Sequence, residues 1–528
     1  MKQLLKIGIV VNKNCELPAW EYEMLKQIFE SDYTANSVIL IANNQTYAKS
    51  SFLYGAFTKF ENWWFSNQYN AFEKINIKTE FDEQIHPLSE TDKLNNLNID
   101  LLYVSYWADV DLRKLLVPKQ GYWKIVFGNE KYKSALPPAF WEVMNQEPVT
   151  GSSLVIQFAG SKDAITVYEG VTITIPYSVK NNLNSLAWKS SSFLPYRLKE
   201  LYELGSDLFI EKYKKRISSA EKQNNVLLKA PVNSFMAWLF FKNIFSYLLY
   251  KLKAVFNNKR FSILVSNQTY KNGTTDFSHF KNLQQPANTF RADPFLITKE
   301  NRKFIFFEEF LYAKNKAHIS VMELLKDGTY TEPTVALEKP YHLSYPFVFK
   351  WENNLYMIPE TAANKTVELY RCKQFPDQWG FVMNLMENIS LIDCTLQFEN
   401  GKWWLFACTQ NHPLTSSNDQ LLLFYSENLF TNNWIAHLQN PVATDISNCR
   451  PAGKIFSIDG KLYRPAQNNA SQQYGYALKI NCIEILNETE YKETEVFEVL
   501  PGVGNKLSAV HTINFTDDTI VIDGICKF

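Results

Sequence analysis

An apolar stretch that opens at Asp293 closes on two adjacent carboxylates, Glu308 and Glu309 ("ADPFLITKENRKFIFFEEF"). Comparable stretches downstream begin or end on Glu360, Asp393, Arg450, Arg464, His511 and Asp523. Such carboxyl groups suit glycosidic-bond chemistry, in which one shuttles a proton while another activates a nucleophile or acts as one. Crowded into one site they repel each other, which drives at least one toward a usable acid. Arg450 and Arg464, each followed by Pro-Ala, have the planar fork that grips a carboxylate or phosphate through two hydrogen bonds. Two arginines exceed the needs of a neutral glycan and point to an anionic donor or acceptor. No HxxH or HExxH occurs, so no metal is expected, and nothing calls for a cofactor.

Each residue also has a plainer reading. Asp293 before Pro294 caps a turn. Glu360 pairs with Arg371 or Arg450, Asp393 caps a strand start, and His511 is a satisfied core histidine or a proton-transfer and sugar-binding group. Strand alternation lets only one of Glu308 and Glu309 face a given side, and Glu309 is placed in the site. The same alternation applies to Trp403 and Trp404, of which Trp404 is chosen to stack on a sugar ring.

The elements that must position these side chains recur. After "ADPFLITKENRKFIFFEEF" come "SYPFVFKWENNLYMIPET", "DCTLQFENGKWWLFACT", "RPAGKIFSIDGKLYRPAQ" and "AVHTINFTDDTIVIDGI". Each unit is a polar opening, a strand, a turn favouring a hairpin, and a return strand with a polar end. The opening residues Asp293, Tyr345, Asp393, Arg450 and His511 lie about 50 to 60 residues apart, a period that reads as propeller blades, five in number. Innermost strands line a central channel, so the openings and ends would form one polar funnel.

The same segment, about 290–524, with "ADPF", "FFEE", "HLSYPFVF", "MIPE", "VELYRC", "FPDQW", "RPAG", "LYRPAQ", "YG" and "HT", resembles the N-terminal propeller domain of plant glucosamine inositolphosphorylceramide transferases and their bacterial relatives. That domain is similar in turn to five-bladed propeller glycosidases of the arabinanase and xylosidase type. The resemblance implies that Asp293, opening the first blade, matches the general base. The glycosidases take their acid from a third-blade glutamate. Here that blade opens on Asp393, and the nearest glutamate, Glu360, closes the second.

The first part alternates strands and helices ("LLKIGIVV", "PAWEYEMLKQIFES", "SVILIAN", "IDLLYVSY"), which argues for a parallel α/β sheet. Short β segments follow, then one charged helix, "SFLPYRLKELYELGSDLFIEKYKKRISSAEKQ". Gly8 stands alone without a GxGxxG, so a dinucleotide site has little support. Residues 1–220 resemble a formyltransferase-type domain at "PPAFWEVMNQEPVTGSSLVIQFAG". Where that family carries His-His-Gly-Asp this chain reads "VFGNE", with His86 out of place and Asp163 without its histidine. The resemblance implies a degenerate domain, a scaffold or acceptor-binding module.

Composition narrows the class. The 528 residues hold 54 basic and 54 acidic side chains, which gives no footprint for nucleic acid. Seven cysteines without a CxxC argue for a reducing compartment, and the start reads as a strand rather than a signal peptide; a cytoplasmic setting is expected. Residues 233–256 are the most apolar stretch but are broken by Lys242, too short for the roughly 20 residues of a spanning helix. They form an interdomain core helix or a segment on the membrane surface, with Lys251, Lys253, Lys259 and Arg260 toward anionic lipid.

The reading is therefore an α/β formyltransferase-like domain with a parallel sheet (1–220), a helical connector (221–260) and an all-β five-bladed propeller (261–528). Its expected activity is glycosyl transfer from a sugar donor to a glycan or glycolipid acceptor, at the inner face of a membrane. Asp293 is base or nucleophile, Glu360 or Asp393 the acid, and Arg450 and Arg464 hold donor phosphate. Hydrolysis of an oligosaccharide and non-catalytic glycan binding are the rivals, with formyl transfer by the first domain a third.

Overall fold

The computed structural model describes residues 2–35, 38–41, 43–44, 51–66, 68–78, 80–81, 85–87, 98–109, 118–132, 137–158, 164–217, 231–256, 260–270, 279–471, 474–501 and 507–526. The chain forms two compact units, Met1–Val255 with Asn411–Ser416, and Phe256–Gln410 with Ser417–Phe528.

The first unit is built on a seven-stranded mixed sheet. Its strands are β1 (Ile7–Val11), β2 (Val38–Ile41), β3 (Ile85–Pro87), β4 (Leu101–Val104), β5 (Tyr122–Phe127), β6 (Val149–Gln157) and β7 (Ile165–Ile173), in the order β7-β6-β5-β4-β1-β2-β3. The pairs among β3, β2, β1, β4 and β5 are parallel, and β6 and β7 extend one edge in antiparallel pairing. All five residues of β1 are buried, as expected of a strand covered on both faces. Gly8 serves packing: a Cβ there would lie 2.3 Å from Leu102. Helix α1 (Ala19–Phe29) starts just after Pro18, whose fixed φ suits that position, and buries Trp20, Met24 and Ile28 at helical spacing.

Further helices are α2 (Phe52–Trp64), α3 (Phe140–Met144), α4 (Val179–Ser190), α5 (Phe193–Leu204), α6 (Ser206–Ile217) and α7 (Asn233–Phe256). The sequence reading ran α5 and α6 together as one charged helix. They are separate because Gly205, at φ +78°, takes a conformation that ends α5. Met236 and Leu239 of α7 join a cluster with Phe57, Phe140 and Trp141, so α7 packs within the first unit.

The second unit is a five-bladed β-propeller of four-stranded antiparallel sheets. Its strands are β8 (Phe261–Ser266), β9 (Lys281–Asn282), β10 (Thr289–Lys299), β11 (Arg302–Leu311), β12 (Lys316–Leu324) and β13 (Thr334–Leu337). They continue as β14 (Ser344–Trp351), β15 (Asn354–Glu360), β16 (Thr366–Gln374), β17 (Gln378–Glu387), β18 (Leu391–Glu399), β19 (Lys402–Thr409), β20 (Leu421–Ser426) and β21 (Ile435–Ala436). The last are β22 (Phe456–Ile458), β23 (Lys461–Asn468), β24 (Ala477–Leu486), β25 (Tyr491–Val499), β26 (Leu507–Thr516) and β27 (Thr519–Cys526). Blades one to four are β10–β13, β14–β17, β18–β21 and β22–β25. The fifth has the order β9-β8-β27-β26. Its outer half is thus supplied by strands that precede the first blade, with Leu264 of β8 paired to Ile522 of β27. This pairing closes the ring without a covalent bond.

Candidate active site

The opening strands of blades one to three share one irregularity. Register slips between Ala292 and Phe295, Ser344 and Phe347, and Ile392 and Thr395. Inside these bulges Asp293, Tyr345 and Asp393 adopt φ of +52°, +42° and +54°. Proline follows Asp293 and Tyr345, where left-handed backbone is doubly disfavoured. Strain of this kind persists only where the surroundings hold it, and bulges re-aim side chains. A further slip between Val510 and Thr512 brackets His511.

The holding bonds run from blade to blade. The Asp293 N–H donates to Asp523 Oδ2 at 2.7 Å, and Asp293 Oδ2 accepts from the Tyr345 N–H at 3.2 Å. The Thr512 hydroxyl donates to Asp293 Oδ1 at 3.0 Å. Glu360 Oε2 accepts from the Asp393 N–H at 3.3 Å. Arg450 Nε donates to Asp393 Oδ2 at 2.6 Å, its Nη1 donates to Asn418 Oδ1 at 2.9 Å, and its Nη2 stands 4.0 Å from Glu360. His511 bridges Asp523 (2.8 Å) and Asp293 (3.3 Å).

Asp293, Glu360, Asp393, Arg450, His511 and Asp523 are therefore gathered into one buried cluster. Burial drives the Asp293 carboxyl above its usual range against the pull of His511, and does the same to Asp393 against Arg450. Glu360 is pushed well above, by burial first and then by the charge of Asp393. Burial lowers His511, but the paired aspartates outweigh it and bring the ring to about 9. Asp293, His511 and Asp523 offer three ligand atoms within 4.8 Å of one another, a spacing a cation would accept, and the imidazolium itself supplies positive charge there.

Exposure ranks the cluster by reach. The side chains of Glu360 and Arg450 are 15% and 13% exposed, those of Asp293 and Asp393 only 6% and 1%. Tyr474, 40% exposed, lies under the Arg450 guanidinium at 5.2 Å and marks the solvent side.

Three expected members stand elsewhere. Glu309 faces the opposite side of β11, where it binds Arg291 Nε at 2.9 Å and Ser320 Oγ at 2.8 Å and lies 3.5 Å from His318. Burial raises its pKa, but these partners prevail and hold it at about 2. Glu308 takes its place near the cluster, 3.3 Å from His342; burial raises its pKa and the charge of Asp293 adds to the rise. Arg464 is 1% exposed and closed by Glu493, with bonds of 2.8 and 2.6 Å, and by the Asn448 carbonyl at 2.7 Å, so it offers nothing to a phosphate. Trp404 is 2% exposed, and its indole N–H donates to the Glu399 carbonyl at 3.3 Å; Trp403 is 5% exposed among Phe349, Trp351 and Phe398. Both tryptophans are core because blade sheets are covered on both faces. The sequence reading missed Tyr474, Asn418, Thr512 and Gln467, whose Nε2 donates to Asp393 Oδ2 at 3.3 Å. Thr512 lies beside His511, and Gln467 and Tyr474 fall in the "LYRPAQ" and "YG" stretches that carry the family resemblance; Asn418 had no such signal.

Fold and cluster define a class: a five-bladed propeller whose strand openings converge on buried carboxyl groups. Residues 217–506 match the family model described as Glucosamine inositolphosphorylceramide transferase 1, N-terminal, and the chain belongs to that family. A relative from Oryza sativa subsp. japonica, named Glucosamine inositolphosphorylceramide transferase 1, is 40% identical over 214 residues, which is 40% of this chain and 28% of the relative. The Arabidopsis thaliana protein of that name is 32% identical over 220 residues, 41% of this chain and 28% of its own. The chain thus spans little more than a quarter of these relatives. Among solved structures, a family 117 glycoside hydrolase from Zobellia galactanivorans aligns with 51% of this chain and 90% of its own, at TM-score 0.34 and 11% identity. The catalytic domain of a Coprinopsis cinerea GH62 alpha-L-arabinofuranosidase aligns with 50% and 99%, at TM-score 0.34 and 9% identity.

Proposed function

We propose that the propeller takes part in transfer of a glycosyl group from an anionic sugar donor to a glycan or glycolipid acceptor. The observation that carries this is the partly exposed pair Glu360 and Arg450 set over the buried Asp293 and Asp393. A carboxyl group that burial pushes toward its protonated form beside a guanidinium combines an acid with an anion clamp. In this reading Arg450 takes the donor's negative charge and Glu360 protonates a leaving or bridging oxygen. Asp393 positions Arg450, and Asp293 serves as base or nucleophile at the cluster's floor. The name of the family's relatives supports a glycosyl-transfer setting, and a place at the inner face of a membrane belongs to the same proposal.

A second reading rests on the interblade bonds. Because Asp293 and Glu360 each accept a backbone N–H from the next blade, the cluster equally suits a glycan-binding module whose charges hold the ring together. The formyltransferase-like interpretation of the first unit is also part of the proposal, as a scaffold or acceptor-binding module. Asn129, the asparagine of "VFGNE", is committed to the sheet: it accepts from the Gly151 N–H at 2.7 Å and donates to the Val149 carbonyl at 2.9 Å. The side chain of His86, and Asp163, lie outside the described residues.

The test is a panel of nucleotide sugars, sugar phosphates and free oligosaccharides, read by thermal shift and by product mass spectrometry. Ligand at 100 times its Kd should stabilise the fold by about 2.7 kcal/mol. Transfer requires a shift from a phosphorylated donor that Arg450→Lys weakens, with turnover lost in Glu360→Gln. Shifts from free glycans alone, with release of monosaccharide, would replace transfer by hydrolysis; shifts without turnover would leave the binding module.

A further inference from the structure

The first unit carries an apolar surface that its core does not use. Helix α7 carries large apolar residues on more than the one side that a core-facing helix needs, with Lys242, Lys251 and Lys253 between them. One side faces inward, where Met236 and Leu239 are buried and Asn243 Nδ2 donates to the Tyr177 carbonyl at 2.9 Å. On the other side Phe235, Trp238, Phe241, Phe245, Leu248 and Leu252 follow at steps of three and four residues and are 43% to 71% exposed. The surface continues onto α2: Trp64 contacts Tyr247 of α7 at 6.3 Å, and Phe52 and Trp63 are 80% and 70% exposed. Single exposed apolar residues are ordinary, whereas a contiguous patch on two helices marks an interaction surface.

Its charge selects the occupant. Residues 233–256 contain no acidic residue and three lysines, Lys242, Lys251 and Lys253, with Lys259 and Arg260 just beyond. Lys242 caps the Met144 carbonyl at 2.5 Å, while Lys251 is exposed and extends over the Tyr247 ring at 5.6 Å. The acidic residue of α2, Glu61, is buried and accepts the N–H groups of Val179 and Lys180. Tryptophan and phenylalanine with a lysine rim match the boundary between headgroups and acyl chains. In a symmetric pair of copies the same basic rim would meet itself. Among the described residues no helix is long and apolar enough to cross a membrane. We propose that α7 and the exposed aromatic residues of α2 lie in the interface of an anionic lipid membrane, α7 parallel to its plane.

The experiment is co-sedimentation of the full chain with vesicles of phosphatidylcholine alone or mixed in equal parts with phosphatidylglycerol, alongside analytical ultracentrifugation without lipid. The expected result is sedimentation with the anionic vesicles, weakened by salt. Phe241→Ser with Phe245→Ser should lower partitioning roughly tenfold or more, since each phenyl group contributes more than one such factor when fully buried. Lys251→Ala should lower it about fivefold, and Phe241→Leu with Phe245→Leu should retain it. Circular dichroism confirms that the variants fold. Absence of binding to either vesicle, or binding unchanged by the serine pair, would overturn the proposal. So would an oligomer that the serine pair dissolves while lipid binding is absent, which would make the face a protein interface.

Discussion

His511 stands between Asp523 and Asp293 and is brought to about 9 from an ordinary 6.5. A group raised in the folded state stabilises it fully below pH 6.5 and ceases to do so as pH rises through 9. That interval corresponds to on the order of 3 kcal/mol. The buried carboxyls Glu21 and Glu61, raised by burial to about 8 and about 7, also favour the lower end of this range. The melting temperature should therefore fall between pH 6.5 and 9, and His511→Gln should flatten the propeller's share; an unchanged slope in that variant would show the ring is not protonated. Arg450 faces Asp393 with little access to water, so Arg450→Ala leaves carboxylates without their cation. Its expected cost is roughly 3–5 kcal/mol, measured by denaturant unfolding. These residues were legible because five strand openings repeat at a period. Arg464 misled because its Pro-Ala context copies that of Arg450, while its partner Glu493 lies on β25, at a separation no local pattern reveals.

At the scale of elements, hairpins and their turns could be read from alternation, but the bulges could not. A bulge changes which residues of an opening strand face the return strand, and left-handed backbone at Asp293 and Tyr345, before proline, contradicts local preference. The choice of Glu309 over Glu308 needed the cross-strand partner: Glu309 lies opposite His318 on β12, and its side chain is held there. The bulge at Tyr345 is fastened by its hydroxyl, which accepts from the Gly453 N–H at 2.8 Å and bonds Thr395 Oγ1 at 2.9 Å. Tyr345→Phe leaves a buried N–H without its acceptor, so unfolding should be easier by about 1–3 kcal/mol. If the melting transition does not move, the hydroxyl is not what fixes this bulge.

At the scale of the molecule, the two units were visible as a shift from alternating helix and strand to repeated hairpins. The closure was not, because β8 resembles any apolar strand and its partner is far away in the chain. Closure suggests a direct measurement. Val265 pairs with Val521 across β8 and β27, and cysteines at both positions, identified by mass spectrometry against the seven native thiols, would lock the ring. Oxidation should stabilise the propeller by about 4–5 kcal/mol relative to the reduced form of the same variant. Equal melting temperatures in the two forms would mean that the ring does not open at this seam. The same seam dictates an order of events during synthesis. Leu264 and its partner Ile522 are 258 residues apart, and ribosomes add roughly 5–20 residues per second. Strand β8 therefore emerges tens of seconds before β27 exists, an unpaired edge of the kind that recruits other strands. The nascent chain must wait with its first propeller strand open, and its need for chaperones is set by how long translation of the next four blades takes.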